Sequence, residues 1–226
     1  VAGWDHDPAR LAQAAKDFAL QPYPEVEALL ADADVQAVVV SAENSLHAEL
    51  VEQAAVAGKD IILQKPMALT LAEADRIVAA VEKSGVRFSM AWQMRTDPQN
   101  VQIKQLLQSS ELGQVFMLRR RHGLGTHTWA NFKSLWHTRP ELNRDIWADD
   151  AAHAIDFIYW LLGAPETVTA EIGSLFDPQV PNDNGIAVFR YANGPIAEVS
   201  CSFTCTAAEN TTEVFAEKGS IIQNYG

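Results

Sequence analysis

Residues 35–66 read VQAVVVSAENSLHAELVEQAAVAGKDIILQKP. The first six, apolar but for Gln36, make a run of strand length, SLHAELVEQAAVAG carries helical spacing and stops at Gly58, and DIILQ returns to a strand. Ile61, Ile62 and Leu63 are branched aliphatic residues in succession, the mark of a short buried strand. Pro66 cannot continue a central strand because it has no N–H to donate. Lys65 therefore sits where a strand ends, either as an ordinary loop cation or as a group aimed at a ligand in a cleft.

The same alternation runs from residue 1 to about 92. PARLAQAAKDFA, YPEVEALLAD and TLAEADRIVAAVEKSG are helical, the last ending at Gly85, and VRFSMAW is a strand. Strands apolar on both faces and separated by helices imply a parallel sheet covered on both sides, a doubly wound α/β domain. The opening VAGWD already reads as the end of a buried strand, with Asp7-Pro8 starting a helix. The first strand and any glycine-rich loop are thus expected ahead of Val1.

After a helix at DPQNVQIKQLLQSS the pattern changes. QVFMLRRRHG, TVTAEIGSL, GIAVFRYANG, PIAEVSCSFTC, TTEVFAEKG and SIIQNY mostly alternate polar and apolar residues, as an open antiparallel sheet with one wet face does. Ala192-Asn193-Gly194 and Lys218-Gly219 mark turns between them. An irregular stretch, roughly 123–146, leads into a helix WADDAAHAIDFIYWLLG that stops at Gly163. The expected domains are a dinucleotide-binding-type unit at 1–94 and an α+β unit at 95–226.

Composition narrows the classes. The 226 residues are 48% hydrophobic and 20% charged, enough for a real core and unlike a disordered chain. A formal charge of -12 argues against a nucleic-acid or anionic-membrane surface, since both attract clustered Lys and Arg. No apolar run approaches the ~20 residues of a membrane span, and no cleavable leader is visible, so a soluble, cytoplasmic protein is expected. Cys201 and Cys205 lie in an alternating stretch about 13 Å apart along a strand. That exceeds the ~7 Å limit for a disulfide, and both are expected as buried thiols.

In an open parallel sheet, ligands gather at the carboxyl ends of the strands. Asp5, Ser41 to Asn44, and Gln64-Lys65 all fall there. An acid at the end of the second strand of a dinucleotide-binding fold accepts hydrogen bonds from the adenosine ribose and repels a 2'-phosphate. Asp5 suits that part and would favour NAD over NADP; it could equally cap the helix that follows.

Asp149, His153 and Asp156 are spaced i, i+4, i+7 and share one helical face. Asp149 and Asp150 could be partners of the helix dipole, and the histidine could be structural. A carboxylate one turn before a histidine is also the arrangement that holds an imidazole in one tautomer and raises its basicity. An Asp-x-x-x-His metal site is a further alternative, although no other Cys or His has ligand spacing. Lys65 and His153 together suggest oxidation of a secondary alcohol, with a neutral imidazole as base and a lysine stabilising alkoxide character. Trp129, Trp136, Trp147, Arg139 and Arg144 crowd the stretch before the helix. Indoles stack on sugar faces and arginines pair with carboxylates, while plain packing and solvation explain them as well.

These residues resemble the Gfo/Idh/MocA oxidoreductases, typified by glucose-fructose oxidoreductase and inositol dehydrogenase. AGKDIILQKPMALTLAEA is similar to the family's Ala-Gly-Lys-x-x-x-x-Glu-Lys-Pro segment, SAENSLHAEL to Thr-Pro-x-x-x-His, and AWQMRTDP to Asn-x-Arg-x-x-Pro. DDAAHAIDFIYWLLG resembles its Asp-x-x-x-His-x-x-Asp pattern ending in Trp-Leu-x-Gly. The likeness covers nearly the whole chain. Gln64 stands where the family usually has Glu, and ELNRDIWADD replaces its usual glycine run.

The resemblance implies NAD, less readily NADP, bound in the first domain and a sugar or polyol as substrate. It makes Lys65 the residue that meets nicotinamide ribose and substrate hydroxyl, His153 the general base and Asp149 its assistant. Asp5, Ser41, Asn44, His47, Gln64 and Gln93 join Lys65 as cofactor contacts. Arg95 and Trp136 join Lys65, Asp149 and His153 around the substrate, Arg95 in a supporting part. No metal is implied, and a homo-oligomer, dimer or tetramer, is expected through the open sheet. The other readings are a non-enzymatic ligand-binding or regulatory member of the fold, motivated by Gln64, and a metal-dependent hydrolase.

Overall fold

The computed structural model describes residues 1–192, 194–207 and 209–225. The chain forms two compact units, residues 1–91 and 92–226.

In the first unit every strand pair is parallel. β1 (Ala2–Gly3) pairs with β2 (Gln21–Pro22) across α1 (Pro8–Phe18). After α2 (Val26–Ala31), β3 (Ala37–Val40), β4 (Asp60–Leu63) and β5 (Phe88–Met90) form a second sheet, linked by α3 (His47–Val56) and α4 (Leu71–Ser84). The parallel strands and crossover helices are those of a Rossmann-like fold. Among the described residues no ladder joins the two sheets.

Local chemistry sets the helix ends. The Asp7 carboxylate accepts from the N–H groups of Ala9 and Arg10, with Pro8 at the first helical position. The cap of α1 is therefore Asp7, not Asp5. Thr70 and Glu73 form a capping box on α4, and Gly85 closes it at φ +69°, a conformation that costs glycine little. Ala48, Val51, Ala54 and Ala55 make one small-residue stripe on α3, which lets that helix approach Val40, Ile61 and Leu63 closely. Each fully buried aliphatic side chain there contributes about 1.5–3 kcal/mol. The buried Lys59 donates from Nζ to the carbonyls of Asp32 (2.8 Å) and Val35 (2.7 Å), pinning the approach to β3. The opposite sheet face is not covered as the sequence leads one to expect, because Val39 and Ile62 stand 64% and 45% exposed.

The second unit opens with a 3-10 turn, Gln93–Arg95, followed by α5 (Pro98–Gln108), capped by Asp97, and β6 (Val115–Gly123). Short 3-10 turns at Thr126–Thr128, Phe132–Ser134 and Trp136–Thr138, then α6 (Pro140–Asn143), fill the irregular stretch ahead of α7 (Ile146–Leu162). β7 (Thr167–Gly173), β8 (Asn184–Arg190), β9 (Ile196–Ser202), β10 (Glu209–Ala216) and β11 (Gly219–Tyr225) complete a six-stranded sheet of order β11-β10-β6-β9-β8-β7. It is antiparallel apart from the β6–β9 pair. Of the expected turn 192–194, Asn193 lies outside the described residues.

Helix α7 covers the inner face of this sheet. Ala151, Ala154, Phe157 and Ile158 meet Leu118, Ala197, Val199, Cys201 and Val214, all buried. Gly185 lies so near the Trp147 ring that a Cβ would come within 2.7 Å of it, so glycine lets the indole rest on β8. The outer face carries a row in which Arg119 contacts Glu198 (3.3 Å) and Glu213 (3.1 Å). Beside it Ile186 and Ile222 are exposed. Both cysteines are free, but β9 ends at Ser202, so Cys205 leaves the strand alternation and is only part-buried.

Candidate functional site

In the first unit the expected residues gather at the carboxyl ends of β1, β3 and β4. The Asp5 carboxylate follows β1 and accepts from Asp7 N–H at 2.8 Å, which fixes the turn while its side chain stays about one-third exposed. After β3, Ser41 is exposed and Asn44 is buried at the head of a 3-10 turn, Asn44–Leu46, that runs into α3. After β4, Gln64 and Lys65 are half-buried, and the Lys65-Pro66 peptide is cis.

His47 links the two loops. Its Nδ1 lies 2.9 Å from the Pro66 carbonyl and its Nε2 3.2 Å from the Ala42 carbonyl, and the residue is fully buried. Both ring nitrogens face backbone oxygens, so His47 ties the loop at Ala42 to the segment that carries Lys65. Nothing in the one-dimensional pattern reveals this, because the partner carbonyls lie 5 and 19 residues away.

In the second unit α7 turns a polar face into the protein. Asp149 and His153 are buried, and the Asp156 side chain is 9% exposed. The Asp145 carboxylate caps the helix by accepting from Ala148 N–H at 2.6 Å. Asn143 donates from Nδ2 to Asp149 Oδ2 at 3.2 Å and to the His137 carbonyl at 2.9 Å, orienting that carboxylate. His153 lies between two rings: Trp92, edge-on with centroids 6.3 Å apart, and His122, tilted at the same separation. Sequence reasoning missed His122, Asn143 and Trp92. His122 shares the strand parity of the buried Leu118 and Arg120, a pattern that marks it as inward-facing.

Arg95 donates to Asp156 from Nε (2.9 Å) and Nη2 (2.5 Å), and this pairing raises its pKa above the ordinary arginine value. Two of its donors are thus committed to the helix, which suits the supporting part. Gln93 is exposed in the same short 3-10 turn. Trp136 stacks on His137 at 3.9 Å, with the exposed Trp129 edge-on to the same imidazole. Arg139 contacts Glu141 at 3.0 Å and Arg144 contacts Asp145 at 3.5 Å, so each has a neighbouring carboxylate at hand. Among the described residues no three His, Cys, Asp or Glu side chains cluster as metal ligands.

The residues at the strand ends suit a dinucleotide: a part-exposed carboxylate at β1 can accept from a ribose diol, and Asn44 and the Lys65 loop supply polar groups beside it. The fold is a Rossmann-like domain followed by an α+β domain. Residues 1–92 match the model of the oxidoreductase family with NAD-binding Rossmann fold, and residues 100–222 that of the GFO/IDH/MocA C-terminal domain. The chain belongs to the GFO/IDH/MocA oxidoreductase family.

Among its relatives, inositol 2-dehydrogenase of Salmonella typhimurium is 32% identical over 67% of this chain and 43% of its own length. Levoglucosan dehydrogenase of Pseudarthrobacter phenanthrenivorans is 25% identical over 97% of this chain and 63% of its own. A solved structure of levoglucosan dehydrogenase with NADH and levoglucosan superposes with a TM-score of 0.91 at 25% identity, covering 98% of this chain and 63% of that one. The chain thus spans less than two thirds of the length of these proteins.

Proposed function

We propose that the protein is an NAD-dependent dehydrogenase that oxidises a secondary hydroxyl of a sugar, polyol or inositol-like substrate. The observation that carries this reading is the inward face of α7, where His153 is buried one turn from a carboxylate that Asn143 orients. A neutral imidazole at His153 takes the hydroxyl proton, and Asp149 stabilises the imidazolium that results. Lys65, presented by the His47-anchored loop, stabilises the negative charge developing on the oxygen. When bound, the nicotinamide accepts the hydride at C4. Asp5 selects NAD through the ribose diol, with Ser41, Asn44, Gln64 and Gln93 as further contacts.

Arg95 and Trp136 border the substrate, Arg95 through Asp156 and Trp136 through its stacked ring. Names of relatives such as inositol 2-dehydrogenase and levoglucosan dehydrogenase support a polyhydroxylated substrate. The exposed Ile186, Ile222 and Phe215 on the outer sheet face support a homo-oligomer built from a second copy. Among the described residues no helix is long and apolar enough to cross a membrane. A cytoplasmic location is part of the same proposal.

Gln64 favours one second reading, a member of the fold that binds its ligands without turnover, because it lacks the charge that balances Lys65 in the family pattern. Fluorescence titration of the natural full-length protein with NADH, followed by NAD reduction assays with inositols and anhydro-sugars, separates the two. Saturable binding with turnover supports the dehydrogenase; binding without turnover across the screen supports the second reading.

A further inference from the structure

Around Asp5, the ends of β1 and β3 carry two charged side chains, His6 and Glu43, that the reaction does not use. His6 follows Asp5 directly, with Nδ1 3.8 Å from Asp5 Oδ1 and Nε2 3.6 Å from Glu43 Oε1. Its other charged neighbours lie on the start of α1. Asp7, whose carboxyl is held below the usual range chiefly by the Ala9 N–H, also feels the imidazole, and Arg10 faces Asp7 at 3.5 Å. The two contacts to His6 are ionic in length rather than hydrogen bonds, so their strength follows the charge on the ring. The imidazole is half exposed, while the Glu43 carboxylate is mostly covered.

Histidine is the side chain whose charge ordinarily changes between about pH 5 and pH 8. With the ring protonated, two carboxylates and one cation leave this set at minus one; with the ring neutral it stands at minus two. NAD and NADP differ at the ribose oxygen beside which Asp5 is placed, where NADP carries a phosphate with a charge of about -1.5 to -2 at neutral pH.

We propose that His6 makes the choice between NAD and NADP depend on pH: as an imidazolium it offsets Asp5 and Glu43 and offers the 2'-phosphate a cation, and as a neutral ring it leaves both carboxylates to repel it. The inference rests on the reading of Asp5 as the ribose acceptor. It assigns Glu43 a part as well, because its carboxylate holds the far side of the ring and keeps the imidazole beside Asp5.

The test is a fluorescence titration of the natural full-length protein with NADH and NADPH at about pH 6 and about pH 8, for the wild type, His6→Ala and His6→Arg. The phosphate has its own titration near pH 6, and His6→Ala, which has no charge at that position, supplies the baseline for it. In the wild type the ratio of the NADPH to the NADH dissociation constant should rise between the two pH values about five-fold more than in His6→Ala, the effect of one unit charge near 4 Å in water. His6→Arg should keep the ratio low at both. NADH binding with the same pH dependence of the ratio in wild type and His6→Ala would overturn this inference alone. NADH binding with no NADPH binding at either pH would likewise overturn this inference alone, and failure of both dinucleotides to bind would overturn it together with the cofactor reading.

Discussion

Arg95 and Asp156, 61 residues apart in the chain, are joined by two hydrogen bonds, Nε to Oδ2 at 2.9 Å and Nη2 to Oδ1 at 2.5 Å. The pair fastens the 3-10 turn at Gln93–Arg95 to the middle of α7, next to the turn that carries His153. Parallel N–H groups of a guanidinium fit a carboxylate in a way an ammonium does not. Arg95→Ala and Arg95→Lys should both lower stability, the alanine variant by about 1.5–3 kcal/mol, the worth of a charged hydrogen-bonded contact. Calorimetric melting measures this, and a lysine variant as stable as wild type would show that the two-pronged geometry is unimportant.

Lys65→Met and His153→Asn test the chemistry. Each should cut turnover by about 10²–10⁴, the range of a lost acid–base or electrostatic group, while NADH still binds. Circular dichroism should match wild type, since Lys65 is half-buried on a loop and asparagine keeps a polar side chain at the His153 position. Full activity in either variant would remove that residue from the mechanism.

The two thiols should differ in reactivity. Burial, reinforced by the nearby Asp150 charge, pushes the Cys201 thiol far above the ordinary range, so it stays protonated and inert. Cys205 lies beyond the strand, part-buried, with its Sγ 3.1 Å from the Ala207 carbonyl. Iodoacetamide on the native protein at about pH 8 should label Cys205 well before Cys201. Peptide mass mapping reads the order, and equal labelling would mean that β9 opens readily.

Acid should weaken the first unit through Asp60. Arg87 donates to it from Nε at 2.7 Å and from its backbone N–H at 2.9 Å, and the side-chain bonds are the main cause of its depressed pKa. A depressed folded-state pKa means the ionised form is favoured by folding. That stabilisation is present above the unfolded value near ~3.9 and is lost as pH falls through the folded one. Urea midpoints should therefore hold steady above about pH 5 and drop below about pH 4, less steeply in Asp60→Asn. An unchanged slope in that variant would show the pair contributes nothing to acid sensitivity. The Arg87 side chain is largely exposed, so salt should also blunt the effect.

What the sequence determined by itself was whatever depends on residues close together in the chain. The strand–helix–strand order of residues 35–66 follows from apolar spacing, the ends of α3, α4 and α7 lie near Gly58, Gly85 and Gly163, and Asp149, His153 and Asp156 share a face because of helical periodicity. Tertiary structure alone decided which of these groups find partners. Asp156 belongs to Arg95, Asp149 to Asn143, and His122 to the side of His153, none of which a period of two or 3.6 can announce. His47 is the clearest case. The family resemblance puts it near a cofactor, and the fold adds what no local pattern announces, a Pro66 carbonyl 2.9 Å from Nδ1 that ties the ring to the segment after Lys65. Local pattern fixes the direction a side chain leaves its own backbone, whereas what it meets depends on how distant segments pack, and only there do burial and hydrogen bonding assign its task.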